Sequence, residues 1–264
     1  MSDPGGFTDD DTRRAWDRGA EFWPDFVRSG ADYYRVEVHG PALLEACGEV
    51  AGLRVLDLGC GEGYFARLLA KAGARVVGAD ISEAMLAAAV AEEARAPLGI
   101  EYRRLGASEV GREWGPGSFD LVTGCMSVQD MSDPCAALAA ARSVLGAGER
   151  VVFSVPHPGT DTPFREWERN ESGEKGALKV DRYFDSGPAV VAWDMARLKG
   201  RWETPFWRRT LAEWTEMTDR AGFLIRRLWE PRPSSEQVRA NPHLEDSYRV
   251  PFFLIFDLVV VAGP

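Results

Sequence analysis

Histidine is scarce in this 264-residue chain: His39, His157 and His243 are the whole supply. The four cysteines, Cys47, Cys60, Cys125 and Cys135, form no CxxC pair and have no histidine at ligand spacing, which excludes the common zinc patterns. Free thiols in a reducing cytoplasm are therefore expected. Basic residues are outnumbered, 31 Lys and Arg against 41 Asp and Glu, for a formal net charge of −10. A protein that neutralises phosphates carries a basic face, so nucleic acid is not an expected partner. The longest apolar run, Pro251–Phe256, is interrupted by Asp257 before Leu258–Val261 and falls short of the ~20 residues that span a bilayer. It reads as a buried strand. The polar start, Met1–Gly6 followed by Asp9-Asp10-Asp11, is unlike a signal peptide, and a cytoplasmic protein without a membrane segment is expected.

What the chain does contain is an alternation. Residues 9–50 read as helices, one carrying Trp16, Ala20 and Trp23 and another running from about Ala31 to Cys47. From Leu53 short strands and helices take turns. The strands are Arg54–Leu58, Arg75–Asp80, Ile100–Leu105, Phe119–Thr123 and Arg150–Val155; the helices between them include Tyr64–Ala72 and Pro134–Leu145. That order predicts a doubly wound, Rossmann-like α/β fold: a seven-stranded, mostly parallel sheet with helices on both faces. The alternation stops over 158–209, a stretch rich in aromatics, and resumes as helix Leu211–Ala221 and strands Phe223–Trp229 and Pro251–Val261. With no repeat or low-complexity linker, we read 1–264 as a single domain. Its parts are an N-terminal helical cover (1–50), a cofactor-binding core (51–157), an inserted aromatic lid (158–209) and a C-terminal helix and strands (210–264).

The most informative stretch is Asp57-Leu58-Gly59-Cys60-Gly61-Glu62-Gly63, between a strand and a helix. Glycines at this spacing allow a sharp bend and a close approach of backbone to ligand, and the following helix offers free N–H groups. A dinucleotide fingerprint requires G-x-G-x-x-G, but its third glycine position is Tyr64 here. Asp57, two residues before the first glycine, would crowd a pyrophosphate and suits a ligand with an ammonium group. Asp80 ends the second strand, where a carboxylate accepts the two hydroxyls of a ribose; its alternative role is to cap the helix beginning near Ser82.

Arg54–Gly63 and Val77–Leu86, together with Ser118–Val122 and Ala141–Leu145 before Gly146 and Gly148, resemble the ordered motifs of class I S-adenosylmethionine-dependent methyltransferases. The resemblance covers about 50–157 closely and 210–261 loosely. It implies S-adenosylmethionine as cofactor and S-adenosylhomocysteine as product. It also implies that Asp57 and the turn Gly59, Cys60, Gly61 and Gly63 hold the methionine end, and that Asp80 binds the ribose diol. Ile81 and Met85 flank the adenine, and Cys125 contributes backbone to the amino-acid portion. Relatives often carry an acid where this chain has Gly106, so Ala107 or Ser108 takes over the contact to the adenine amino group.

Transfer from a sulfonium is an in-line displacement in which alignment carries much of the catalysis, and a base is needed only when the nucleophile must lose a proton. His157, after the fifth strand, is the candidate base; its alternative is a turn residue wedged between Pro156 and Pro158. Gln129 and Asp130, after the fourth strand, are candidates to orient an acceptor, or else members of a loop network. Trp193 of the lid is a candidate wall of the acceptor pocket, the alternative being that the lid aromatics pin the insert to the rest of the fold. No metal site is expected. The leading function is methyl transfer to a small-molecule acceptor through O or N, with C open, plausible in secondary metabolism, by a monomer or homodimer. An RNA- or protein-directed methyltransferase is the alternative. An NAD(P)-linked oxidoreductase ranks below both, because Tyr64 breaks the fingerprint and no Tyr-x-x-x-Lys pair is present.

Overall fold

Thr8 opens the first helix of the protein with a reciprocal capping box to Asp11, and α1 runs Asp9–Gly19. The computed structural model describes residues 6–195 and 200–261. Pro24 sits in the first turn of α2, Trp23–Arg28, where its missing N–H is harmless. The second predicted helix is interrupted: Arg35–His39 forms a π-helical turn before α3, Gly40–Cys47. Apolar periodicity does not register such a one-residue insertion.

The core then alternates as expected. It comprises β1 (Arg54–Leu58), α4 (Tyr64–Lys71), β2 (Arg75–Asp80), α5 (Glu83–Arg95), β3 (Glu101–Arg104), α6 (Val110–Glu113), β4 (Phe119–Cys125), α7 (Pro134–Ser143) and β5 (Leu145–Pro156). The insertion is two antiparallel hairpins, β6 (Phe164–Arg169) with β7 (Lys175–Asp181), and β8 (Gly187–Met195) with β9 (Gly200–Arg208). It is followed by α8 (Leu211–Arg220), β10 (Phe223–Trp229), α9 (Ser235–Ala240), α10 (Glu245–Arg249) and β11 (Phe253–Val260). No helix among the described residues is long and apolar enough to cross a membrane.

Seven strands form the main sheet in the order β10-β11-β5-β4-β1-β2-β3. Neighbours from β3 across to β5 are parallel, whereas β11 runs antiparallel to both β5 and β10. Period-two alternation divides the strands' apolar residues between two layers. Leu56, Val122, Phe153 and Phe256 pack with Trp214 on one face, and Val55, Leu121, Val152 and Ile255 pack with Leu43, Phe65 and Leu69 on the other. Asp257, which interrupts the last apolar run, is fully buried and bridges Arg150 (3.0 Å) and Arg226 (2.8 Å). Chain order reverses between β1 and β4, so the ligand crevice of such a sheet belongs above their carboxyl ends.

The β8–β9 hairpin packs back on the N-terminal helices. Trp193 stacks on Trp202 with centroids 5.6 Å apart, and both meet Trp16 and Trp23. The Trp193 indole N–H donates to Thr204 Oγ1 at 2.8 Å. The β6–β7 hairpin is held by Trp167, which donates to Asp246 at 3.1 Å and lies under Arg249.

Candidate functional site

All three glycines of the turn have positive φ: +64° at Gly59, +55° at Gly61 and +88° at Gly63. A Cβ at Gly59 would lie 2.4 Å from Ser127 Cβ, and one at Gly63 would lie 2.4 Å from Tyr102 Oη. A Cβ at Gly61 meets nothing within 4 Å. Two of the glycines therefore let protein segments close on the turn, while the middle one leaves room for something else. That room is part of a cleft of about 340 Å³ at the switch point between β1 and β4.

Asp80 fixes the shape of the turn. Its Oδ2 accepts from the Gly61 N–H and its Oδ1 from the Ser82 N–H, each at 2.8 Å. The carboxylate thus braces the glycine turn and still borders the cleft. Ser82 caps α5 through Met85 N, and its hydroxyl donates to Asp17 Oδ1 on α1 at 2.7 Å. At the opposite rim Thr12 Oγ1 donates to the Asp130 carbonyl at 3.0 Å, and Asp9 Oδ1 accepts from Ser132 N at 3.0 Å. Helix α1 is therefore tied to both sides of the cleft, with Trp16 and Trp23 among its lining residues.

Gly59, Cys60, Gly61, Asp80, Ile81, Met85, Ala107, Ser108, Cys125 and Asp130 all line this one cleft. The other residues singled out from the sequence lie elsewhere. Asp57 is fully buried behind the turn; its Oδ1 accepts from Thr123 Oγ1 at 2.8 Å, and its Oδ2 is buried with no hydrogen-bond partner. Gly63 supports the turn against Tyr102. Gln129 is buried beside the cleft and donates to the Met126 carbonyl at 2.7 Å. Trp193 is held in the indole cluster, off the cleft wall, because its ring packs flat on Trp202.

His157 does not border the cleft either. Its Nδ1 accepts from the Gly159 N–H at 3.1 Å, so Nε2 carries the proton and donates to Glu230 at 2.9 Å. Burial holds the imidazole below its ordinary pKa, with Glu230 pulling the other way. The turn between two prolines folds the ring onto its own loop and the end of β10.

Of the lining residues that escaped sequence reasoning, the most consequential is Arg35, the only Lys or Arg among the described lining residues. It pairs with Asp32 at 2.9 Å and its guanidinium lies over the rings of Trp23 and Tyr64, 5.1 and 5.4 Å from their centroids. The sequence signal would have been an arginine within an aromatic-flanked helix, a weak one without the fold.

Around this single cation the carboxyls are crowded. Burial pushes Asp57 up to about 7, and Asp80 and Glu62 also upward. Asp130 rises to about 8 by burial, partly offset by Trp16 and Gln129. Acids along the turn and one arginine opposite them fit a ligand carrying an ammonium or sulfonium together with a carboxylate. The open space over Gly61 is consistent with that ligand, and the acids disfavour a pyrophosphate.

Sheet order and cleft position define a Rossmann-like α/β protein of the kind that binds a nucleotide cofactor at its switch point. A family model for a methyltransferase domain matches residues 55–148. The structure of an S-adenosylmethionine-dependent methyltransferase from Mesorhizobium loti is 32% identical, covers 83% of this chain and 96% of that one, and superposes with a TM-score of 0.68. The chain belongs to the S-adenosylmethionine-dependent methyltransferases. A ubiquinone biosynthesis O-methyltransferase of Pseudomonas aeruginosa is 32% identical over 141 residues, 53% of this chain and 57% of that enzyme. The chain thus spans little more than half the length of the curated relatives it matches. The 1,6-didemethyltoxoflavin-N1-methyltransferase of Burkholderia thailandensis, solved with S-adenosylhomocysteine, is similar in fold, at a TM-score of 0.54 and 16% identity over 94% of this chain and 91% of that one.

Proposed function

We propose that this protein transfers a methyl group from S-adenosylmethionine to the oxygen or nitrogen of a small-molecule acceptor and releases S-adenosylhomocysteine. The observation that carries the reading is the open space over Gly61, in a cleft lined by Asp80 and by Arg35, the sole lining cation among the described residues. When bound, S-adenosylmethionine supplies an electrophilic methyl on a positively charged sulfur. Asp80, already oriented by two backbone amides, would accept from the ribose hydroxyls. Ile81 and Met85 would flank the adenine, and Ala107 and Ser108 would meet its edge. Arg35 would hold the carboxylate, while Asp57 behind the turn supplies negative potential toward the ammonium.

Trp16 and Trp23 line the cleft, and their apolar rings lower the local dielectric, which strengthens the charge interactions beside them. We assign the proton-accepting role to Asp130 rather than His157. Asp130 lines the cleft and burial pushes it up to about 8, which makes its ionised form a strong proton acceptor, whereas both nitrogens of His157 are engaged outside the cleft. The O-methyltransferase name of one relative and the N1-methyltransferase name of another support a small-molecule acceptor. The net charge of −10 supports an enzyme that works without nucleic acid; a monomer or homodimer in the cytoplasm is part of the same proposal.

The test is calorimetric titration with S-adenosylhomocysteine and separately with NADH, followed by tritium transfer from labelled S-adenosylmethionine to a panel of small phenols, amines and carboxylates. Binding of S-adenosylhomocysteine with transfer to a panel member is the expected result. Binding of NADH alone would overturn the reading, and transfer only to RNA or protein would overturn the acceptor class.

A further inference from the structure

Met126, on the cleft wall, has φ +52° although it is not glycine. A residue with a side chain adopts that conformation stably only where its surroundings over-determine it. Here they do. The Met126 N–H donates to Ser154 Oγ at 3.1 Å, and its carbonyl accepts from Gln129 Nε2 at 2.7 Å. The next residue is tied as well, because Ser127 Oγ donates to the Leu58 carbonyl at 2.6 Å. This bend lies directly on the glycine turn, which is why Gly59 has no room for a Cβ.

The clamp extends one residue further. Ser154, fully buried on β5, lies 2.7 Å through Oγ from Nε2 of His39, itself 1% exposed. Burial beside Arg35 pushes His39 down to about 3, so the ring is neutral. Ser154 already accepts from Met126, and its own proton has one partner among the described residues, Nε2. His39 therefore carries its proton on Nδ1 and turns the hydroxyl so that a lone pair faces Met126. The π turn brings Arg35 and His39 into the same element, one facing the cleft and the other supporting its floor.

We propose that His39 and Ser154 are positioning residues for the methyl donor: through the Met126 N–H they hold the Cys125–Met126 peptide in the left-handed bend that shapes the cleft floor beneath the donor's amino-acid portion. A trans peptide directs its N–H and C=O to opposite sides, so the bond to Ser154 also fixes the direction of the Cys125 carbonyl. The proposal rests on the reading of the cleft as the S-adenosylmethionine site.

The experiment is a double-mutant cycle of Ser154→Ala and Met126→Gly, read by calorimetric affinity for S-adenosylhomocysteine and by melting temperature. Loss of one neutral hydrogen bond weakens affinity by about tenfold in the Ser154→Ala protein. Glycine adopts positive φ freely, so in the Met126→Gly background the same change costs under about twofold. His39→Gln, which keeps an acceptor near Nε2, stays within about threefold of the unaltered protein, whereas His39→Leu matches Ser154→Ala. If His39→Leu does not fold, the Ser154 and Met126 cycle decides alone. An equal loss from Ser154→Ala in both backgrounds, or a lower melting temperature with unchanged affinity, overturns the clamp. Failure of the unaltered protein to bind S-adenosylhomocysteine overturns the donor reading instead.

Discussion

Gly59 and Gly61, two residues apart and both at positive φ, separate folding from ligand binding. Alanine at either position must adopt positive φ, at a cost of about 1–2 kcal/mol. At Gly59 the new Cβ would also lie 2.4 Å from Ser127 Cβ. Ser127 Cβ is placed by its backbone and side-chain rotation cannot move it, so overpacking adds roughly 1–3 kcal/mol. The Gly59→Ala protein should therefore lose about 2–5 kcal/mol, or a melting-temperature drop of roughly 5–15 °C in a chain of this size. Gly61→Ala has no protein atom to meet, so its stability falls by only about 1–2 kcal/mol. Its methyl group instead enters the cleft. If overlap with the ligand costs about 1–3 kcal/mol, affinity for S-adenosylhomocysteine drops by roughly tenfold to a hundredfold. Urea unfolding and calorimetry on the two variants measure both quantities. The reasoning fails if Gly61→Ala binds as tightly as the unaltered protein, or if it is destabilised as much as Gly59→Ala.

Asp57 makes stability depend on pH with a definite sign. Its carboxyl is raised from 3.8 to about 7, so between those values the folded state keeps a proton that the unfolded chain has released. Stability is thus lost as pH rises from about 4 through 7, by at most about 4 kcal/mol, and ligand-free Asp57→Asn should be spared that loss. Identical pH profiles in urea unfolding would refute this. Replacing Arg35 by Met removes a charged partner and should weaken S-adenosylhomocysteine by roughly tenfold to a hundredfold, while leaving 5′-methylthioadenosine, which lacks the carboxylate, nearly unaffected; equal losses for both ligands would contradict the assignment. His157→Ala should keep transfer rates within about threefold, since the ring serves its own loop, and a loss of a hundredfold or more in turnover would restore the imidazole as the base.

What was legible in the sequence follows from how locally each feature is encoded. The strand, turn and helix around Asp57–Gly63 are contiguous, and the positive φ of all three glycines follows from residue type. Asp80 was legible because strand ends in a parallel sheet share one rim, although its bracing of Gly61 was not, since that needs the distance between two loops. The insert was recognisable only as an end to the alternation. The β6–β7 hairpin was hidden because its strands are largely exposed and carry charges on both faces, as in Phe164–Arg169; β9 is largely buried, but against helices distant in the chain. The indole cluster joins Trp16 and Trp23 to Trp193 and Trp202, a long-range packing that no local window contains. Arg35 and His39 were obscured for a sharper reason. A π turn shifts the helical period by one residue, so a reading based on 3.6-residue spacing assigns the wrong faces beyond it. His39 carries no sequence signal beyond its place in a helical stretch, because its tie through Ser154 to Met126 joins residues 115 and 28 positions apart.

The charge arrangement also explains why one family of nucleotide ligands is excluded by a fold that could house it. A Rossmann-like crevice holds a dinucleotide when its glycine turn and helix N-terminus present only N–H groups to the pyrophosphate. Here the same turn is surrounded by Asp57, Glu62 and Asp80, each raised by burial. A doubly charged pyrophosphate would raise them further, and the protons they would take up make binding weaker as pH rises. A ligand bearing a sulfonium and an ammonium acts in the opposite direction: it lowers all three and releases protons on binding. Binding of S-adenosylhomocysteine, which keeps the ammonium but has lost the sulfonium charge, should therefore release fewer protons than binding of S-adenosylmethionine. Calorimetry in two buffers of different ionisation enthalpy measures that difference directly. Equal proton release for the two ligands would mean that the buried acids do not sense the sulfur, and that alignment rather than charge selects the donor.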